Sequence, residues 1–70
     1  MDQNAKKPAV RRIAANKVHF IPAEACYTNH VIELTDGILT SHYPLLAEQA
    51  MTEWYDGTIL VDETLHIQLQ

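Results

Sequence analysis

The chain has 70 residues, of which 47% are hydrophobic, and it contains two glycines and three prolines. This composition is typical of one small folded domain rather than of a disordered segment. The formal net charge of −4 gives no basic surface for nucleic acid or an anionic membrane, and no apolar run approaches the roughly 20 residues of a membrane helix.

The first ten residues, MDQNAKKPAV, are polar, mixed and interrupted by Pro8. They predict a disordered N-terminal tail over 1–10, followed by a single small β-domain over 11–70. The first strand is predicted over Arg11–Ile21, although neither set of alternate residues in it is purely apolar. All five Lys and Arg residues lie within the first 17 positions. We interpret them as a solvated tail and an edge strand protected by its charges, rather than as an RNA-binding arm.

The clearest local signal is a β-hairpin. Asn29–Leu34 and Ile38–Tyr43 are β-rich runs, and Thr35-Asp36-Gly37 separates them. An Asp-Gly pair between such runs is a strong hairpin signal because both turn residues tolerate positive φ. Before the hairpin, Pro22 ends regular pairing, and a loop is predicted over Pro22–Thr28.

After the hairpin the apolar period changes. Pro44–Met51 predicts a short helix that begins at its proline. Asp56-Gly57 predicts a second turn, and Thr58–Val61 is a β-branched strand. Thr64–Gln70 alternates and predicts a half-buried strand, with Leu65, Ile67 and Leu69 inward.

These elements predict a mostly β fold: a small antiparallel or mixed sheet, or a β-sandwich-like fold, of four or five strands with one short helix. Trp54 and Tyr43 are the expected large anchors of the core, because Trp and Tyr bury much area when their polar atoms find partners.

Residues with metal-binding or catalytic chemistry are scattered. Zinc ligands could come from Cys26 and the four histidines, but no two of them have C-x-x-C, H-x-H or H-x₃-H spacing. The histidines are His19, His30, His42 and His66. Cys26 has no neighbouring Lys or Arg that would activate it, so a buried loop thiol is expected. The acidic residues after the hairpin mostly bracket turns, where they favour solvation. We therefore predict no catalytic, cofactor-binding or metal-ligating residue.

The compartment is predicted from the same features. One cysteine excludes an internal disulfide framework. The N-terminal residues also lack the apolar region of a signal peptide. Both features predict a cytoplasmic protein.

Three segments together resemble a known domain. They are Ile13–Phe20, the hairpin Asn29–Leu39 with its V-I-E-L-T-D-G-I run, and Tyr55–Val61 with YDGTILV. Their order and spacing resemble the small β-domain that precedes the barrel in amidohydrolase-superfamily enzymes, which are metal-dependent hydrolases of the dihydroorotase, imidazolonepropionase and cytosine deaminase kind.

The chain departs from that family where the enzymes carry their metal centre. Val61-Asp62 stands in place of a Pro-Gly step, and His66-Ile67-Gln68 in place of a metal-binding H-x-H. The barrel, its other metal ligands, the bridging lysine and the catalytic aspartate have no counterpart here. The resemblance therefore implies a non-enzymatic, stand-alone relative that acts as an interaction or accessory module and needs no cofactor.

Two alternatives remain open: the N-terminal piece of a split metal-dependent hydrolase, and a small-ligand or metal-binding domain. In the enzymes both chain ends build the small β-domain. A chain with the N-terminal part alone would keep an exposed sheet edge. The expected partner is thus another protein or a second copy of the chain, and neither nucleic acid nor a membrane is expected.

Overall fold

The computed structural model describes residues 9–46 and 52–70, which form one five-stranded mixed sheet. The mostly β fold class is thus confirmed. The strands are β1 (Val10–Phe20), β2 (Ala25–Thr35), β3 (Ile38–Pro44), β4 (Glu53–Val61) and β5 (Ile67–Leu69).

The sheet order is β3-β2-β1-β4-β5, so β1 lies at the centre. β1 pairs antiparallel with β2 and parallel with β4, while β2–β3 and β4–β5 are antiparallel pairs. The interpretation of β1 as a charge-protected edge strand is therefore wrong. Two of its charges are instead satisfied across the sheet, where Arg11 pairs with Glu53 of β4 and Arg12 with Glu33 of β2.

The predicted Asp-Gly hairpin is confirmed. Asp36 and Gly37 have φ of 52° and 83°, and two successive positive φ values are what a type I′ turn between twisted strands requires. The turn also holds the start of the described chain. Ala9 donates its N–H to Asp36 Oδ1 at 3.0 Å and accepts the Asp36 N–H at 2.8 Å.

The strand β2 is longer than predicted. The expected loop over Pro22–Thr28 is mostly strand, because the turn closes over 21–24 and β2 starts at Ala25. Glu24 adopts a φ of 51° and donates its N–H to the Ile21 carbonyl at 3.2 Å. This tight turn lets the chain reverse directly, and the N–H of Ile21 still pairs with the Val61 carbonyl at 2.9 Å.

An irregularity at Asn16 of β1 explains why the buried residues of this strand do not all lie at alternate positions. Ile13 and Ala15 are buried in the same cluster as Val18, so the buried residues change from odd to even positions around Asn16. In β2 the corresponding residue is Asn29, which has a φ of 49°. Asparagine tolerates that conformation better than most residues do. Both strands thus keep apolar side chains on one face despite the interruption.

The second predicted turn, Asp56-Gly57, lies inside β4 and is wrong. The register with β1 passes from Ala15 opposite Tyr55 to Lys17 opposite Thr58, so β4 carries one extra residue there. A glycine within a strand often marks such a bulge. A Cβ on Gly57 would meet the Gln70 carbonyl oxygen at 2.6 Å, so only glycine fits without movement.

Ala14 and Val31, which pair across β1 and β2, are buried on one face of the sheet. The main core cluster lies on the other face and is built from aliphatic side chains that β1 to β4 all supply. Its buried members are Ile13, Ala15, Val18, Ile32, Leu34, Leu39, Ile59 and Val61. Leu39 at the start of β3 donates its N–H to the carbonyl of Leu65 at 2.9 Å. The two ends of the sheet order thus approach each other over the core face.

The predicted aromatic anchors do not occupy this core. Trp54 pairs with Ala14 on the opposite face and is 55% exposed, and Tyr43 is half-buried on that same face. The prediction was wrong because it weighed side-chain size. The alternation of β4 directs Tyr55, Ile59 and Val61 toward the core cluster instead.

The predicted helix over Pro44–Met51 begins incorrectly, since Pro44 is the last residue of β3. Residues 47–51 lie outside the described part of the chain, and so does the tail over 1–8. The predicted strand over Thr64–Gln70 is confirmed only as the short β5. Leu65 belongs to the preceding turn, with a φ of 67°, and is exposed.

Candidate functional site

Two of the four histidines, His30 and His42, meet at the open end of the β2–β3 hairpin, away from its turn. His30 Nε2 lies 2.9 Å from His42 Nδ1, so the two rings share a hydrogen bond. His30 is only 4% exposed and is the one buried polar residue among those described. Tyr27 stacks on the His30 ring with centroids 4.5 Å apart, and Phe20 contacts the His42 ring at 4.6 Å.

The environment of His30 favours its neutral ring. Burial lowers the pKa of His30 below its ordinary value, and the charge of His42 lowers it further. A single N–H between the rings requires one nitrogen to donate and the other to accept. The pair can therefore hold a hydrogen bond while neutral or singly protonated, but not when both rings are cations.

The other predicted metal-ligand candidates do not join this pair. His19 pairs with Cys26 of β2. Its side chain lies on the opposite face of the sheet from that of Phe20, which packs against His42. His66 lies in the β4–β5 turn. Residues 9–46 and 52–70 contain no group of three or more His, Cys, Asp or Glu side chains that could hold a metal ion. Cys26 is exposed on β2, so the expectation of a buried loop thiol is wrong.

A polar cluster lies on the face opposite the core. Glu33 Oε2 accepts from Arg12 Nε at 3.0 Å and from the Tyr43 hydroxyl at 2.5 Å. These two donors, the tyrosine first, lower the pKa of the Glu33 carboxyl, and the same contact raises the pKa of Tyr43. The cluster ties β1, β2 and β3 together.

The β4–β5 turn carries an Asp–Thr–His arrangement that is structural. Asp62 Oδ1 accepts the Thr64 N–H at 2.9 Å, the Thr64 hydroxyl at 2.7 Å and the His66 N–H at 3.0 Å. These contacts lower the pKa of Asp62, the Thr64 hydroxyl contributing most. Such local bonds are typical of an Asx-type turn. They position β5 rather than activate the Thr64 hydroxyl.

The last strand leaves backbone groups facing away from the sheet. Asp62 donates its N–H to the His66 carbonyl, and Thr58 and Gln70 exchange both backbone bonds. In an antiparallel pair the direction of these bonds alternates. The N–H and C=O groups of Ile67 and Leu69 therefore point outward, and we call these four groups the β5 outer edge.

The strand that carries the β5 outer edge has exposed apolar side chains and no charged residue. Within the described residues no strand pairs with it, since β5 neighbours only β4. The side chain of Leu69 is 50% exposed and that of Leu65 is 43% exposed. No charged residue or proline occurs in His66–Gln70, although these are the usual protections of an edge.

The histidine pair could not be predicted from the sequence, because a β-bulge in β3 determines which face of the sheet His42 occupies. Counting outward from the Asp36-Gly37 turn places His42 opposite Val31, on the other face from His30. The register instead shifts by one residue at Thr40, so His42 lies opposite Ile32. An exposed sheet edge is expected from the sequence, but only the strand order shows that β5 carries it.

No helix among the described residues is long and apolar enough to cross a membrane. No protein-family model, curated protein or solved structure matches the chain.

Proposed function

We propose that this protein is a non-enzymatic interaction module, a stand-alone relative of the small β-domain of amidohydrolase-superfamily enzymes, and that it binds another protein through the β5 outer edge. The observation that carries the proposal is the set of outward backbone groups of Ile67 and Leu69 in a strand without charge or proline. An exposed edge of this kind accepts an extended strand by main-chain hydrogen bonding.

The amidohydrolase relation is supported by the segments that suggested it. The hairpin Asn29–Leu39 contains the type I′ turn that the D-G motif requires, and Ile13–Phe20 pairs with it. The third segment, Tyr55–Val61, pairs in parallel with β1. All three segments thus belong to one sheet, as the parts of one small β-domain would.

The proposal that the module is not an enzyme rests on the sequence. Gln68 stands where the second histidine of a metal-binding H-x-H would be. His66, the remaining histidine, contacts the Thr64 hydroxyl through Nδ1 at 2.8 Å and lies in a turn that positions β5. This local use of His66 is consistent with a strand that completes the sheet and binds a partner.

A proline at position 69 tests the proposal. The Leu69 N–H points away from β4, so Leu69→Pro removes one outward donor and no hydrogen bond of the sheet. Leu69→Ala is the matched control, because it removes the same side chain and keeps the N–H. Circular dichroism first establishes that both variants are folded.

Each protein is then used as bait in extracts of the source cell, and its mass is measured by size-exclusion chromatography with light scattering. We expect a partner that binds the wild type and Leu69→Ala but not Leu69→Pro. Equal binding by all three proteins would contradict strand addition at β5. A chain that is monomeric and binds no partner would remove the proposal altogether.

The identity of the captured protein separates the alternatives. A barrel protein that lacks its own N-terminal strands would identify the chain as the N-terminal piece of a split metal-dependent hydrolase. A second copy of this chain would show homo-oligomerisation through the edge. Zinc titration by calorimetry tests the small-ligand or metal-binding alternative.

A further inference from the structure

The histidine pair lies near the open end of the β2–β3 ladder. His30 is opposite Pro44, the last residue of β3. Beyond this pair one backbone bond follows, from the Leu45 N–H to the Asn29 carbonyl at 2.9 Å. Leu45 begins the connection that leads to β4. The side-chain bond between the two imidazoles therefore reinforces the end of the ladder.

The surroundings of the pair offer no counter-ion. Tyr27 of β2 and Phe20 of β1 pack on the rings, and Ala15 of β1 is opposite His30. Among the described residues, Tyr27 is the one other ionisable side chain in contact with the pair, and its ring stacks on His30 at an interplanar angle of 18°. Within residues 9–46 and 52–70, no carboxylate contacts either imidazole to stabilise a positive charge.

We propose that the His30–His42 pair is a pH-operated latch that holds the end of β3, and the first residue of its connection to β4, against β2 at neutral pH and releases them on mild acidification. The proposal does not rest on binding at the β5 outer edge, because the contact between β3 and the segment before β5 is made by Leu39, at the other end of β3 from the histidine pair. It concerns a local opening, with the core cluster around β1 remaining folded.

The mechanism follows from the donor count. A neutral or singly protonated pair keeps one N–H between the rings, whereas two imidazolium rings present two N–H groups to each other. Two like charges at this separation repel, and one of them is buried. Opening of the hairpin end exposes the buried His30 ring to water, where it can be protonated at the ordinary pKa of a histidine, near 6.5.

The sign of the pH dependence is fixed by His30. Its pKa in the folded protein is lowered, so the open state binds more protons below about pH 6.5. The closed state is therefore fully favoured above that pH and is progressively lost as the pH falls. If His30 stays neutral while closed, the open fraction rises about tenfold from pH 7.5 to pH 5.5.

Native-state amide hydrogen exchange of the full chain, corrected for intrinsic exchange rates, measures this opening. We expect protection of the Leu45 amide to fall about tenfold between pH 7.5 and pH 5.5. The amide of Val18, in the central strand, should keep its protection. An equal loss at both amides would overturn the latch, because it would report global unfolding, and so would unchanged protection at Leu45.

Three glutamine variants separate the groups involved. His30→Gln should abolish the pH dependence at Leu45, and His42→Gln should reduce it, because one imidazole remains buried. His19→Gln is the matched control on the opposite face and should behave as the wild type does. If His30→Gln does not fold, imidazole NMR of the wild type decides the question: a His30 ring that titrates as a free imidazole, without change at Leu45, would overturn the proposal.

Discussion

The sharpest stability prediction concerns the two glycines, which are retained for different reasons. A Cβ added at Gly57 would lie 2.6 Å from the Gln70 carbonyl oxygen and 2.8 Å from Cε2 of Tyr55. The same atom added at Gly37 would meet nothing within 4 Å, but its φ is 83°. Gly57→Ala therefore introduces a clash, whereas Gly37→Ala introduces only backbone strain.

The magnitude for Gly57→Ala follows from what the clash displaces. Gln70 exchanges two backbone bonds with Thr58 and accepts the Tyr55 hydroxyl at 2.7 Å. Three hydrogen bonds at about 0.5–1.5 kcal/mol each give an expected loss of about 2–4 kcal/mol in the free energy of unfolding. Gly37→Ala should lose about 1–2 kcal/mol. A domain of this size has roughly 4–10 kcal/mol in total.

Urea unfolding followed by circular dichroism measures both losses, and amide exchange locates them. In Gly57→Ala the amides of Thr58 and Gln70 should lose protection before the rest of the sheet does. In Gly37→Ala that region should be unchanged. The reasoning is refuted if Gly57→Ala costs less than about 0.5 kcal/mol, the range of an ordinary surface substitution, or if the two variants lose protection at the same amides.

Two further predictions concern the burial of Ile32 and Trp54 and the pH dependence of the Glu33 cluster. Ile32→Ala should lower the free energy of unfolding by about 2–5 kcal/mol, because Ile32 is fully buried. Trp54→Ala should lower it by under about 1 kcal/mol, because Trp54 is half exposed. Equal losses in urea unfolding would contradict this assignment of the core. Tyr43 and Arg12 hold the pKa of Glu33 below its usual value, so this stabilisation is present above about pH 4.5 and is lost as the pH falls. The stability difference between the wild type and Glu33→Gln should therefore shrink toward pH 3, and a difference independent of pH would exclude that linkage.

Several features of this protein are determined locally and could be read from the sequence. The Asp36-Gly37 turn is one, because positive φ at two successive positions restricts the residues that fit. The existence of β1, β3 and β4 is another, since β-branched and apolar residues cluster in them. The alternation after Thr64 is also visible and predicts a strand there, whereas the position of β5 at an edge of the sheet follows from the strand order.

Other features depend on register, and only the tertiary structure decided them. One extra residue at Thr40 puts His42 on the same face as His30 and so creates the histidine pair. One extra residue at Asp56-Gly57 keeps β4 continuous where a turn was expected. A strand alternates its faces with a period of two, so the residue inserted in β3 moves His42 to the face opposite the one that counting from the turn predicts. Local sequence patterns cannot reveal such an insertion, because the partner strand that defines it lies far away in the chain.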